Sequence, residues 1–359
     1  MTFPLTVDEH NAELAALVAR LEERVTRYLD PRADQAEQRD HLRHVADRTR
    51  WLYYSELQRQ STAISVRIPQ HEDLLIEACA LSHDIGKWVP REELRALLPA
   101  DEAALKAIFL ELELNTDQGE LFLLGVRRRL ALEKDGYVPE YDSAHHLVSA
   151  FQLATDLGLD FHRLAPDDQL RLLRMIIGHQ FGSYFKEQLL NLSLRDDAVT
   201  TGMLVEVARP DKVADDPLAS SFHDADISDL LFVGSLERRP NREDLFHTGG
   251  LVKILMINFT NLLFKTPNGP ATLEACLRSC QFTVTTVCEE FLTQTAIDHG
   301  VKWRKDARRF LGYLREQSVA EKLTVVLEDE NRPVPERLKQ LRTLAYVQAR
   351  EFLRAPEEE

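Results

Sequence analysis

An all-α fold is predicted by this sequence, on three observations. Glycine (14) and proline (15) are scarce in 359 residues, whereas strand-rich folds need frequent Gly and Pro turns. Hydrophobic residues make up 44% and charged residues 29%, enough apolar surface for a sizeable core and too much for a disordered chain. Apolar residues spaced three and four apart recur along almost the whole length.

The elements follow in order. Asp8 to Leu29 sets Leu14, Leu17, Leu21, Val25 and Tyr28 on one face with charges opposite, a single N-terminal helix within 1–34. After the break at Asp30-Pro31 a second helix runs from about Ala33 to Leu57, and a third spans Glu72 to His83 and stops near Gly86. Leu94 to Leu132 reads as short helices broken at Pro99 and around Asn115–Gly119. Tyr141 to Leu157 is a helix closed by Gly158, Pro166 to His179 one started by Pro166-Asp167-Asp168, and Ala198 to Val213 another. Asp215 to Asn241 carries Pro217, Gly234 and Pro240 among polar residues and reads as a long connection with a short helix inside. Gly249–Phe264, Leu273–His299, Trp303–Gln317 and Pro335–Leu353 are the remaining helical segments. The organisation is thus an N-terminal helix (1–34), a motif-bearing domain (35–216) and a C-terminal helical lobe (217–359) expected to pack through Leu251, Leu255, Leu262 and Leu263.

Lys+Arg total 44 against Asp+Glu 59, a net charge of −15. So acidic a surface does not suit long nucleic acids or anionic membranes, but it leaves room for a local basic pocket that takes a small phosphate. The start, MTFPLTVDEH, has no basic or apolar leader region, and no apolar run approaches the ~20 residues of a membrane span. Gly249–Phe264 is interrupted by Lys253 and Asn258. A cytoplasmic protein is expected, with the C-terminal lobe as a partner-binding or homo-oligomerising unit. Cys79, Cys276, Cys280 and Cys288 form no C-x-x-C pair and read as reduced core thiols. Cys276 and Cys280, one helical turn apart, leave a metal or redox pair as the alternative.

Chemistry concentrates in Ala-Leu-Ser-His83-Asp84-Ile85-Gly86-Lys87. An imidazole beside a carboxylate suits divalent cations of intermediate hardness such as Mn, Fe, Co, Ni or Zn. Taken alone the dipeptide reads as a helix C-terminus with Gly at C′. It is accompanied, however, by His41 upstream and by His145, His179 and Asp211 downstream, each in or ending a predicted helix. His223-Asp224, a second such dipeptide, lies in the loosened segment and reads as a loop feature; Arg127-Arg128-Arg129 spreads over helix faces and reads as solvated.

With these residues the chain resembles the HD-domain metal-dependent phosphohydrolase superfamily over roughly residues 35 to 216. The matching pieces are His41 in HLRHVA, His83-Asp84-Ile85-Gly86-Lys87, and Asp211 in VARPDKVAD. The resemblance implies an HD-type helical bundle in which His41, His83, Asp84 and Asp211 hold one ion. His145, in Ala-His145-His146-Leu-Val-Ser-Ala, and His179, in Ile-Ile-Gly-His179-Gln, would add a second, with Asp84 between the two. It selects His41 over His44 and His145 over His146, offers Glu37 as a further ligand one turn before His41, and leaves Asp215 as a substitute for Asp211. His83 through Pro90 is similar to the HD-GYP subgroup of cyclic-dinucleotide phosphodiesterases, which implies a phosphate contact for Lys87; the Gly-Tyr-Pro signature is absent, the chain reading Gln-Phe-Gly-Ser-Tyr-Phe after His179. The implied activity is hydrolysis of a nucleotide or related phosphate ester, mono- or diester, using one or two divalent ions (Mn, Fe, Co, Ni, Mg or Zn), with Asp84 and Lys87 as the catalytic pair. A di-iron oxygenase or a non-catalytic signalling module on the same scaffold are the alternatives.

Overall fold

The structure is a computed structural model that describes residues 7–32, 35–62, 66–97, 145–155, 161, 163–179, 213–237, 245–265 and 269–355. Those residues are overwhelmingly helical, with one two-stranded antiparallel sheet among them. The chain forms an all-α fold. It divides into two compact units, Met1–Ala225 and Asp226–Glu359, and the division falls inside a helix rather than at residue 216.

The first unit is organised around one short helix. Helices α1 (Val7–Leu29), α2 (Gln35–Gln60), α5 (His145–Thr155) and α6 (Pro166–Gly178) all pack on α3 (Gln70–Ser82). After α3 come a 3-10 turn (Ile85–Lys87) and α4 (Arg91–Leu97). The stripe Leu14, Leu17, Leu21 and Val25 of α1 is buried, and each such side chain is worth about 1.5–3 kcal/mol of transfer free energy. Because α3 has neighbours on several sides, Leu75, Ile76, Ala78, Cys79 and Ala80 are all buried, which covers more than one face. Helix ends are tied by polar side chains. The Tyr28 hydroxyl donates to Glu93 Oε2 (2.6 Å) and accepts from Gln152 Nε2 (2.5 Å), which links α1, α4 and α5. Arg50 of α2 pairs with Asp73 and Glu77 of α3. Arg171 of α6 grips Asp216 through two 2.9 Å bonds and reaches Glu72 of α3 at 3.3 Å.

Several expectations need correction. The short helix expected inside the Asp215–Asn241 connection is a 13-residue helix, α7 (Pro217–Asp229). Its N-terminus is capped by Asp216 Oδ1, which accepts from the backbone N–H groups of Leu218 (3.0 Å) and Ala219 (3.3 Å). Polar residues masked it: Ser221, His223, Asp224 and Ser228 are buried beside Leu218 and Phe222, so the helix has no solvent face to make a pattern. His223-Asp224 is therefore a buried helical pair, Nδ1 to Oδ1 2.9 Å, and not a loop feature. The predicted pieces of helix within Pro99–Leu132 and Ala198–Lys212, with Arg127, Arg128 and Arg129, lie outside the described residues.

After the last turn of α7 the second unit carries a strand pair that the helical reading does not include. Strands β1 (Gly234–Glu237) and β2 (Leu245–Thr248) pair antiparallel, Gly234 opposite Thr248 and Glu237 opposite Leu245. The helices α8 (Gly250–Leu263), α9 (Leu273–Glu289), α10 (Gln294–Tyr313), α11 (Gln317–Glu328) and α12 (Val334–Arg354) follow. α8 packs on α9 and α12, and β1 lies against α12. The predicted Leu273–His299 helix is in fact broken at Glu290–Thr293, where the Thr293 side chain accepts from Ala296 N and starts α10. Leu251 and Leu255 are buried, whereas Leu262 and Leu263 are only half-buried. Cys276 and Cys280 are buried against α8, where Cys276 Sγ approaches Asn258 O (3.5 Å) and Asn258 Nδ2 approaches Cys280 Sγ (3.6 Å). Burial pushes both thiols up to about 12. They are core thiols.

Candidate metal centre

α3 ends where the chemistry begins. His83 is its C-cap and Asp84, at φ −102° and ψ −2°, opens the 3-10 turn. Adjacent helical residues would diverge by about 100°; leaving the helix at this point lets His83 and Asp84 face one centre. The turn is fastened to α5 by a side chain that sequence reasoning did not single out: Ser149 Oγ donates to His83 O (2.7 Å) and accepts from Gly86 N (2.9 Å). Ser149 lies one helical turn after His145, so the same helix face supplies both clamp and donor. Gly86 permits the approach, because a Cβ there would stand 2.2 Å from His145 O and 2.9 Å from Ser149 N.

Five predicted site residues meet there. His41 Nε2 lies 3.5 Å and His83 Nε2 3.8 Å from Asp84 Oδ2, and His145 Nε2 lies 3.1 Å from Asp84 Oδ1. His179 Nε2 is 3.2 Å from His145 Nε2. The donor atoms form two groups that could each hold a metal ion, His41–His83–Asp84 and Asp84–His145–His179, and Asp84 belongs to both. His83, Asp84, His145 and His179 are buried.

The donor set suits a divalent cation. His83 Nδ1 lies 2.8 Å from Ala80 O, and His179 Nδ1 lies 2.6 Å from Ile176 O. A carbonyl only accepts, so Nδ1 carries a proton in both rings and Nε2 is the ring atom turned to the centre, the one that would donate a lone pair to a bound cation. Such carbonyl-held histidines are the usual outer support of a metal site. Both rings also sit at helix C-termini, whose partial negative charge favours a cation.

Asp84 is the electrostatic focus. Burial alone would raise its carboxyl, but Lys87 and His83, with hydrogen bonds from His145 and His41, hold it well below the usual carboxylate range. Lys87 Nζ lies 2.7 Å from the carboxylate, and its side chain remains partly exposed. The Phe222 ring of α7 meets the His83 ring in a T-shaped contact, centroids 5.5 Å apart, an apolar neighbour for the buried imidazole.

The other candidates fall as follows. His146 is buried, with its ring 5.8 Å from that of His145, yet neither donor group includes it. Glu37 and His44 are half-buried on α2 and belong to neither group. Asp215 is exposed. Asp211 lies outside the described residues. No helix among the described residues is long and apolar enough to cross a membrane. No protein-family model, curated protein or solved structure matches the chain.

Proposed function

We propose that the first unit is a metal-dependent phosphohydrolase of the HD-domain type, acting on a nucleotide or related phosphate ester. The observation that carries the reading is Asp84 shared between two His-containing donor groups, on the His83-Asp84-Ile85-Gly86-Lys87 stretch that resembles that superfamily. His41, His83 and Asp84 would hold one divalent ion, with Asp211 as the further donor the resemblance implies, and Asp84, His145 and His179 a second. Divalent ions in such a set supply Lewis-acid polarisation of a phosphoryl oxygen and a lowered pKa for water.

The chain's own residues divide the remaining work. Lys87 carries a mobile point charge at the rim of the cluster, where it can leave Asp84 and meet a phosphoryl oxygen. The carbonyls of Ala80 and Ile176 keep His83 and His179 from turning. Phe222, itself buried, gives the buried His83 ring an apolar neighbour.

The test is metal analysis of the purified full chain, then a screen of nucleoside mono-, di- and triphosphates and cyclic dinucleotides with Mn, Co, Ni and Fe. Asp84→Ala should lose metal from this cluster and lower turnover by orders of magnitude. Metal content and turnover equal to wild type in that variant would overturn the reading. Oxygen uptake by iron-loaded protein without phosphate release would replace hydrolysis with oxidation.

A further inference from the structure

A second group of metal-type donors lies in the first unit and shares no residue with the cluster around Asp84. His10 sits in the first turn of α1, His71 in the first turn of α3 and Asp168 in the first turn of α6. One donor atom from each comes within 4.8 Å of the other two. His71 Nε2 lies 2.9 Å from Asp168 Oδ1, and His10 Nδ1 lies 3.9 Å from Asp168 Oδ2. The two rings stand 6.2 Å apart.

We propose that His10, His71 and Asp168 form a structural site for a divalent cation of the zinc class, joining the N-terminal helix to α3 and α6. A simple ion pair accounts for one imidazole on the carboxylate. It does not account for the second, which approaches the other carboxylate oxygen from beyond hydrogen-bonding distance. Donors that share one ion at ~2.0–2.2 Å stand about 3–3.6 Å apart, and the observed 2.9 and 3.9 Å bracket that spacing. Two imidazole nitrogens and one carboxylate are a donor set for zinc, cobalt or nickel. Burial is graded as such a site requires. The Asp168 side chain is 10% exposed, whereas both histidines are 27% exposed, which leaves an entry path and room for water to complete the shell.

The experiment uses the full chain with zinc alone as probe, in an Asp84→Ala background that removes the carboxylate shared by both central donor groups; the zinc ascribed to the new site is the part that a further change at His10 or His71 removes. Equilibrium dialysis with metal analysis should find at least one zinc equivalent in Asp84→Ala and a rise in its thermal midpoint on adding zinc. His10→Gln added to that background should weaken zinc binding by at least about tenfold, since loss of even an outer partner costs that much, and should abolish the midpoint rise. His71→Gln, which can still hydrogen-bond Asp168, should do the same. Unchanged zinc binding and an unchanged midpoint rise in both double variants would overturn the proposal, as would the absence of zinc from Asp84→Ala itself. Either result leaves the hydrolase reading untouched, because that reading rests on turnover and metal at the other cluster.

Discussion

Gly86→Ala is the sharpest perturbation the first unit offers. A Cβ at this position meets His145 O at 2.2 Å, Ser149 N at 2.9 Å and the Val148 Cβ at 2.9 Å. Real side chains essentially never bring a Cβ within 3.0 Å of such atoms, so the turn and α5 must part by at least about 0.8 Å. Two of those neighbours are backbone atoms inside a helix, so no rotamer change relieves the contact. Overpacking of this kind costs about 1–3 kcal/mol. Parting also stretches both buried Ser149 bonds, to His83 O and from Gly86 N, at about 1 kcal/mol each. The expected loss is therefore about 3–5 kcal/mol, read from urea unfolding midpoints at constant slope. Ser149→Ala removes the clamp without the clash and should cost about 1–3 kcal/mol, because it leaves the Gly86 N–H unpaired in a buried place. The two substitutions should be strongly non-additive, since they act on one contact. A Gly86→Ala protein within about 0.5 kcal/mol of wild type would refute the close-approach argument.

Three further outcomes are expected. Asp216, held low by Arg171 against the opposing effect of burial, adds stability above the ordinary carboxylate pKa of ~3.9 that is lost as pH falls through its lower folded value; Asp216→Asn should flatten the fall of the thermal midpoint below about pH 4, and an unaltered acid limb would contradict the pairing. A thiol reagent at pH 8 should modify half-buried Cys288 well before Cys276 and Cys280, whose thiols burial pushes up to about 12; rapid labelling of the pair in folded protein, followed by peptide mapping, would contradict their core placement. Thr293→Ala should cost about 1 kcal/mol through loss of the α10 N-cap, and Thr293→Ser should restore most of it in thermal unfolding.

Helices with one dry face were legible from their residues. The Leu14–Leu17–Leu21–Val25 stripe of α1 and the Pro166-Asp167-Asp168 start of α6 are at the observed places because one periodic signal and one capping signal suffice there. α7 was legible only as a short helix within a connection, without its length or burial, because its polar residues are interior and satisfied locally. Ser221 donates to Pro217 O at 2.6 Å, and His223 pairs with its own neighbour. A hydropathy pattern counts those residues as solvent-facing. The break between α9 and α10 was missed for the opposite reason: Leu273–His299 keeps its apolar spacing straight across Glu290–Thr293, and only the Thr293 cap marks the division. At the centre, the resemblance pointed to His41, His83, Asp84, His145 and His179, which converge. The partners that aim them did not announce themselves, because they are backbone carbonyls, a serine and a phenylalanine from the polar segment around α7.

The two carbonyl-held histidines carry a consequence for how such a centre varies. In His83 and His179 alike the ring bonds the carbonyl three residues back while the residue's own N–H bonds the carbonyl four back, Cys79 O and Met175 O respectively. The tautomer is thus inherited from the way a helix stops, and no side chain at positions 80 or 176 is required for it. Substitutions in the bodies of α3 and α6 can drift with the demands of packing while ring orientation stays put. A helix end finished by histidine is in this sense a portable mount. It can be moved between bundles with little accompanying sequence, and two chains can share it while sharing almost nothing else that an alignment would detect.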